Sequence, residues 1–386
     1  MIRAPFTSEQ EMFRNAYRKF LETELVPHRD AWWESGIIPK EIFKKAGEQG
    51  FLAMWVDEEY GGLGLKDFRF EQIMIEEIAR SQETGFMSPL HCRLIAPYLA
   101  DFGSEEQKQR FLPGVVSGET LLMIAMSEPD AGSDLAGMKT RAEDKGDHWV
   151  LNGSKTWISN GINGDLAIVA AKTDPQNSRA IGLLLVEEGM EGFSRGKPLK
   201  KMGLMSQDTA ELFFADVKVP KENVLGDPDK GFHYMMKNLA EERLICACQC
   251  IAACQTAFHL TVEYAQERKM FGGVLSDMQN TRFTMAGLRA KIDSAQCFVD
   301  RCVEVHNNGD LTSNVAAEAK LLCSELQGEV VDTCLQFFGG TGFMDEYPIS
   351  RMYRDARVTR IYAGASEIMK ELISREIFPK KTLNMN

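Results

Sequence analysis

The sequence predicts an α+β fold that is mostly α: an N-terminal all-helical domain over residues 1–118, a middle antiparallel β-barrel over 119–228 and a C-terminal four-helix bundle over 229–386. Three observations predict it. Helical periodicity runs through the first part of the chain, short β-type runs separated by turn dipeptides fill Leu121 to Val224, and a helical period returns in long stretches from Gly231.

Taken in order, the N-terminal helices are punctuated by Gly36, Pro39, the run from Glu58 to Gly64, and Gly103-Ser104-Glu105-Glu106. The middle region carries His148–Leu151, Leu166–Ala170, Ile181–Val186 and Ala210–Phe214, with Asn152-Gly153, Asn160-Gly161 and Asn163-Gly164 between them as turns. That spacing fits a compact antiparallel barrel or sandwich. The C-terminal helices span 231–268, 277–308, 312–338 and 349–377, with a Gly-rich break at Phe338-Gly339-Gly340-Thr341-Gly342. No internal repeat or low-complexity linker separates these regions.

At 386 residues and 44% hydrophobic composition, the chain can bury a sizeable core. Its formal net charge of −12 provides no basic field for nucleic acid or anionic lipid. An anionic ligand must therefore be held by local arginines, helix N-termini and backbone N–H groups. No uninterrupted apolar run approaches the ~18 residues of a membrane span, and the first residues read as a helix rather than a signal peptide, so no membrane insertion and a cytoplasmic location are expected. The nine cysteines form no CxxC pair. Cys246, Cys250 and Cys254 share one helix face with Cys248 turned away, and small residues packing a buried helix in a reducing compartment account for them.

No Walker A sequence occurs, and no GxGxxG follows a predicted strand. Two other segments concentrate hydroxyls, glycines and an aromatic: Ile124–Asp134 and Asn152–Gly161. Taken singly, each is a turn beside a strand end.

SEPDAGSD, NGSKTWISNG, MGLMSQDTAELFFADVKVP, ERKMFGG, QFFGGTGFMDEYPISRMYRDAR and IYAGASEIMKELISRE occur in this order along nearly the whole chain. Together they resemble the motifs of the acyl-CoA dehydrogenases, nearest to the long-chain and isovaleryl branches. The resemblance implies the same three-domain order, one FAD per subunit, a homotetramer built as a dimer of dimers, and electron-transfer flavoprotein as electron acceptor. It also implies that Met126, Ser127, Trp157, Ile158 and Ser159 border the flavin and that Ser133 lies near the CoA ester. Serines at 127 and 159, where the family often has threonine, keep the hydroxyl donor. Asp130 adds a charge where many members have glycine.

By the same resemblance, Arg268, Phe271 and Gln279 reach the FAD of a neighbouring subunit, while Gln336, Phe337, Phe338, Gly339 and Gly340 form the partner side of that contact. Ser366 and Glu367 fall in the stretch that contacts the adenosine part of FAD, with Ala365 replacing a frequent threonine. Arg351, Arg354, Arg357 and Arg360, with Glu346 and Asp355 close by, read as a charge-paired helix face.

Oxidation of an acyl thioester to the 2-enoyl product needs a carboxylate to take the α-proton. In many relatives that base is the glutamate of Ile-Tyr-Glu-Gly, but here the motif is Ile361-Tyr362-Ala363-Gly364. Ala240-Glu241-Glu242-Arg243-Leu244 resembles the long-chain and isovaleryl arrangement, which makes Glu242 the base and puts Arg243 near the substrate. The competing reading is that both glutamates merely favour a helix N-terminus. Ala363 keeps a backbone N–H for the thioester oxygen, and Tyr362 and Gly364 flank the substrate. Medium- or long-chain acyl-CoA, straight or methyl-branched, is expected. Short branched (isovaleryl-type) acyl-CoA, an oxidase using oxygen, and a catalytically silent flavin scaffold are the alternatives.

Overall fold

The structure is a computed structural model that describes residues 3–174, 176–177 and 179–379. Two compact units form within it, one from Met12–Met74 and Glu83–Asn238, the other from the described residues of Met1–Glu11, Ile75–Gln82 and Leu239–Asn386.

Helices α1 (Ser8–Glu24), α2 (Arg29–Ser35), α3 (Lys40–Glu48), α4 (Arg69–Ser81), α5 (Ala96–Phe102) and α6 (Glu105–Ser117) make up the N-terminal part of the chain. The Gly103-Ser104 turn does more than break the chain. Ser104 caps α6 by accepting from the Gln107 N–H at 3.2 Å, and the Gln107 side chain accepts from the Ser104 N–H at 2.9 Å. Gly118 closes the helix at φ 75°. A π-helical turn, Leu90–Ile95, precedes α5.

That turn buries His91. Its Nδ1 accepts from the Leu122 N–H at 3.2 Å, so the ring hydrogen sits on Nε2, which donates to the Val115 carbonyl at 2.9 Å. Burial pulls its pKa down to about 4. The unfolded chain then takes up a proton first as pH falls. The stability due to neutral His91 is whole above about 6.5 and is lost on the way down to about 4, by up to about 3 kcal/mol. Urea unfolding across that interval is expected to show this loss, and His91→Asn to flatten the slope.

The middle of the chain forms one seven-stranded sheet, ordered β1-β4-β2-β3-β7-β6 with β5 also on β4. Its strands are β1 (Leu122–Ala125), β2 (Arg141–Asp144), β3 (His148–Ser159), β4 (Leu166–Lys172), β5 (Ile181–Glu187), β6 (Phe193–Arg195) and β7 (Thr209–Pro220). Most pairings are antiparallel, but β1 and β2 run parallel to β4. Met123, Trp149, Leu151, Val169, Val186 and Phe214 are among the side chains that meet in a single core.

Asn152-Gly153 is not a turn but lies inside β3, opposite a bulge at Ala215-Asp216 of β7. The Asn152 side chain donates to Asp216 Oδ1 at 2.9 Å and accepts from its N–H at 3.0 Å, which pins the β7 bulge to β3. A Cβ on Gly153 (φ 147°) would sit 2.5 Å from Thr140 Oγ1.

Beyond the sheet come α7 (Gly231–Glu267), the hairpin β8 (Lys269–Met270) and β9 (Gly273–Val274), α8 (Gln279–Asn307), α9 (Ser313–Phe338), α10 (Pro348–Ala356) and α11 (Ser366–Ile377). In the second unit, α9 packs against α8, α10 and α11. By length and composition α7 could cross a membrane, although the sequence has no long uninterrupted apolar run. It is apolar because it is interior: Leu244, Ala247, Cys250 and Ala257 are wholly buried, and so is Cys248 on another side. The fourth expected helix, 349–377, is instead split into α10 and α11 around Tyr362-Ala363-Gly364. Ala363 at φ 50° and Gly364 at φ 95° cannot continue a right-handed helix.

Candidate active site

The first unit brings the two hydroxyl-rich segments side by side. The Thr156 N–H donates to the Ser127 carbonyl at 3.0 Å, and the Lys155 ammonium donates to the Met126 carbonyl at 3.0 Å and to Glu128 Oε1 at 2.8 Å. Glu128 also accepts the backbone N–H groups of Lys139 at 2.6 Å and Thr140 at 3.0 Å. Both side chains of this ion pair are buried. Burial pushes the Glu128 carboxyl up, but the bonds from Lys155, Thr140 and Lys139 outweigh it and hold it below the carboxylate range. Burial brings Lys155 down to about 8 against the pull of Glu128.

This clamp holds Met126-Ser127 against the end of β3. There the register shifts between Lys155 and Ile158, Ile158 turns into the sheet core, and Trp157 stands 61% exposed at φ 58°. A bulky residue at positive φ costs about 1–3 kcal/mol, and such strain collects at ligand sites. Ser127 and Ser159 are half-buried and Ser133 is exposed. Asp130 points away into solvent and pairs with Lys139 at 2.6 Å, so its charge is matched outside the clamp.

In the second unit, Glu241 and Glu242 lie about three turns past Gly231, too far along α7 to serve as N-terminal caps. The two are used differently. Glu241 pairs with His306 Nε2 at 3.3 Å, whereas Glu242 is only 8% exposed beside buried Arg243. Arg243 donates to Ser313 Oγ at 2.5 Å and to the Ser313 carbonyl at 3.2 Å, while among the described residues its buried Nε has no hydrogen-bond partner. Burial lowers the Arg243 pKa, and Glu242 opposes that shift. Lys320 is wholly buried and donates to the Gly364 carbonyl at 2.6 Å. α7 is thus tied to α9 at Ser313, and the Ala363 loop is tied to α9 at Lys320.

Ser366 begins α11, where Ala365 gives no side-chain cap, and its hydroxyl donates to Glu325 Oε1 at 2.7 Å; Glu367 is exposed. At the far end of α7, Arg268 leads into the β8–β9 hairpin. Phe271 and Gly272 at its tip both have positive φ, and the Phe271 ring is 90% exposed. Tyr264 stacks on Phe338 at 4.2 Å, which places the Gly339-Gly340 turn at the same end of the unit. Nothing lies within 4 Å of a Cβ built on Gly339 or Gly340, so packing does not demand these glycines and their backbone is open to a ligand. Gln279 and Gln336 are exposed there and Phe337 is half-buried. Of the arginine run, Arg354 pairs with Asp345, Arg351 donates to the Asp345 carbonyl and Arg360 lies 3.7 Å from Glu325, so two of the carboxylates come from other turns of the chain than expected.

Each unit by itself offers groups of a kind that suits part of an anionic dinucleotide with a flat ring system: the first an exposed indole beside hydroxyls, the second an open glycine turn, an arginine and a helix N-terminus without a side-chain cap. Lys155, Glu128 and Lys320 were not singled out in the sequence. For the two lysines the signal was periodicity. Lys155 shares the inward alternation of Trp149 and Leu151, and Lys320 sits on the α9 face of Ala316, Ala317, Cys323 and Gln327.

Three family models match the chain: acyl-CoA dehydrogenase, N-terminal domain, over residues 7–119; middle domain, over 123–217; and C-terminal domain, over 229–378. The chain is 44% identical over 379 residues to the mitochondrial long-chain specific acyl-CoA dehydrogenase of Mus musculus, covering 97% of this chain and 88% of that protein. It is 36% identical over 380 residues to the mitochondrial isovaleryl-CoA dehydrogenase of Oryza sativa subsp. japonica, covering 97% and 93%. A crystal structure of an acyl-CoA dehydrogenase from Geobacillus kaustophilus superposes with a TM-score of 0.95 at 44% identity, covering 98% of this chain and 100% of that one.

Proposed function

The chain belongs to the acyl-CoA dehydrogenase family of FAD-dependent oxidoreductases, and on that premise we propose that it converts a medium- or long-chain saturated acyl-CoA, straight or methyl-branched, to the trans-2-enoyl-CoA. The observation that supports this reading is a buried Glu242 beside Arg243, on a helix bonded to α9 at Ser313 as the Ala363 loop is bonded to α9 at Lys320, in a chain whose own position 363 offers no carboxylate. Glu242 takes the α-proton. The Ala363 N–H donates to the thioester oxygen as negative charge gathers there, and Arg243, tethered to Ser313, fixes the wall beside the base. Bound FAD supplies, at N5, the acceptor for the hydride that leaves the β-carbon. Met126, Ser127, Trp157, Ile158 and Ser159 hold the ring system, and Ser133 with Tyr362 and Gly364 orients the CoA thioester.

Arg268, Phe271 and Gln279 of one subunit, with Gln336, Phe337, Gly339 and Gly340 of another, would complete the dinucleotide site, and Ser366 and Glu367 would meet its adenosine part. The exposed Phe271 ring supports this assembly, a homotetramer. The domains of this reading are 1–118, 119–228 and 229–386, and electron-transfer flavoprotein takes the electrons. Greater identity to the long-chain enzyme, 44% against 36%, supports the longer substrates over isovaleryl-CoA.

The test is colour. The purified protein is expected to be yellow, and anaerobic addition of C8 to C16 saturated acyl-CoA to bleach it within seconds. Faster bleaching by isovaleryl-CoA would overturn the chain-length assignment, and a yellow protein that no acyl-CoA bleaches would overturn the activity itself. Rapid recovery of colour in air without electron-transfer flavoprotein would instead indicate an oxidase.

A further inference from the structure

We propose that Lys320 is a positioning residue for this reaction: its buried ammonium, bonded to the Gly364 carbonyl, holds the Tyr362–Gly364 loop in the shape that presents the Ala363 N–H to the thioester oxygen. The inference rests on the reading of Ala363 as the oxyanion donor.

Two consecutive residues of this loop, Ala363 at φ 50° and Gly364 at φ 95°, lie in the left-handed region. An L-residue stays there only when its surroundings hold it, and glycine at 364 accounts for only one of the two. The loop backbone is tethered on its N-terminal side, where Ile361 and Tyr362 both donate to the Val358 carbonyl, at 2.8 and 3.0 Å. On its C-terminal side the tether is Lys320, at 2.6 Å. The Ala363 N–H lies between these two fixed points.

Lys320 is an unusual tether. It is wholly buried in the middle of α9, and among the described residues it makes no salt bridge and its only hydrogen bond is to Gly364. A buried ammonium without a carboxylate partner is costly in a resting protein, yet it favours any negative charge that develops nearby. The thioester oxygen gains such charge when the α-proton leaves.

The experiment compares wild type with Lys320→Met as FAD-loaded enzymes. It measures kcat and KM, and it measures the enolisation pKa of bound acetoacetyl-CoA from the ultraviolet band of its enolate. That probe needs no turnover. The expected result is a kcat lower by about tenfold or more, a KM within about threefold, and a bound-probe pKa raised by about one unit, part of what an oxyanion donor contributes. If Lys320→Met fails to retain FAD, Lys320→Gln, whose amide is tolerated beside a carbonyl, is read in the same way. A lowered kcat with an unchanged probe pKa would show a merely structural role and overturn the proposal, as would no change in either. The reading it rests on fails separately: wild-type enzyme that does not lower the probe's pKa below its value in free solution would show that Ala363 is no oxyanion donor.

Discussion

Glu242→Gln is expected to leave the protein folded and yellow while dehydrogenation falls on the order of 10²–10⁴-fold, the usual contribution of a general base. Glutamine keeps the volume of the side chain on the buried face of α7 and removes only its ability to take a proton. Binding of saturated acyl-CoA should persist, so the loss should appear in kcat and in the bleaching rate rather than in KM. The neighbouring glutamate is the control. Glu241 is engaged by His306 at 3.3 Å, and Glu241→Gln should change turnover by no more than about threefold. Near-normal turnover in Glu242→Gln, or a larger loss in Glu241→Gln, would move the base elsewhere.

Lys155→Met is expected to destabilise the protein by about 3–5 kcal/mol and to release FAD more readily. Among the described residues the substitution leaves the buried Glu128 carboxylate with Lys139 and Thr140 as its remaining donors, and it removes the bond to the Met126 carbonyl. Losing that bond lets Met126-Ser127 drift from the end of β3, where the Trp157 indole is displayed. Denaturant unfolding reads the first effect, and the ratio of flavin to protein absorbance after gel filtration reads the second. A loss under about 1 kcal/mol with full flavin retention would show that the ion pair does not organise this face.

The order of helical, β and helical segments was legible because it rests on local periodicity, which neighbours in sequence determine. The segments bearing Ser127, Trp157, Glu242 and Ala363 were legible through ordered motif resemblance. Two local inferences failed where a partner distant in sequence intervened. Asn152-Gly153 has the composition of a hairpin turn, but it lies inside a strand, where Asn152 bonds to Asp216 in the bulge of β7 opposite. The stretch from 349 to 377 has the period of one helix, but it is broken where Lys320 bonds to Gly364.

By itself, then, the sequence determined which chemical groups are present and on which type of element each rides, including an alanine at 363 and a glutamate at 242. Only the tertiary structure decided how those groups are held. Burial turns Lys155 and Lys320 from surface charges into clamps, because an ammonium removed from water must find acceptors, and the acceptors it found are the backbone carbonyls of the segments that carry the site.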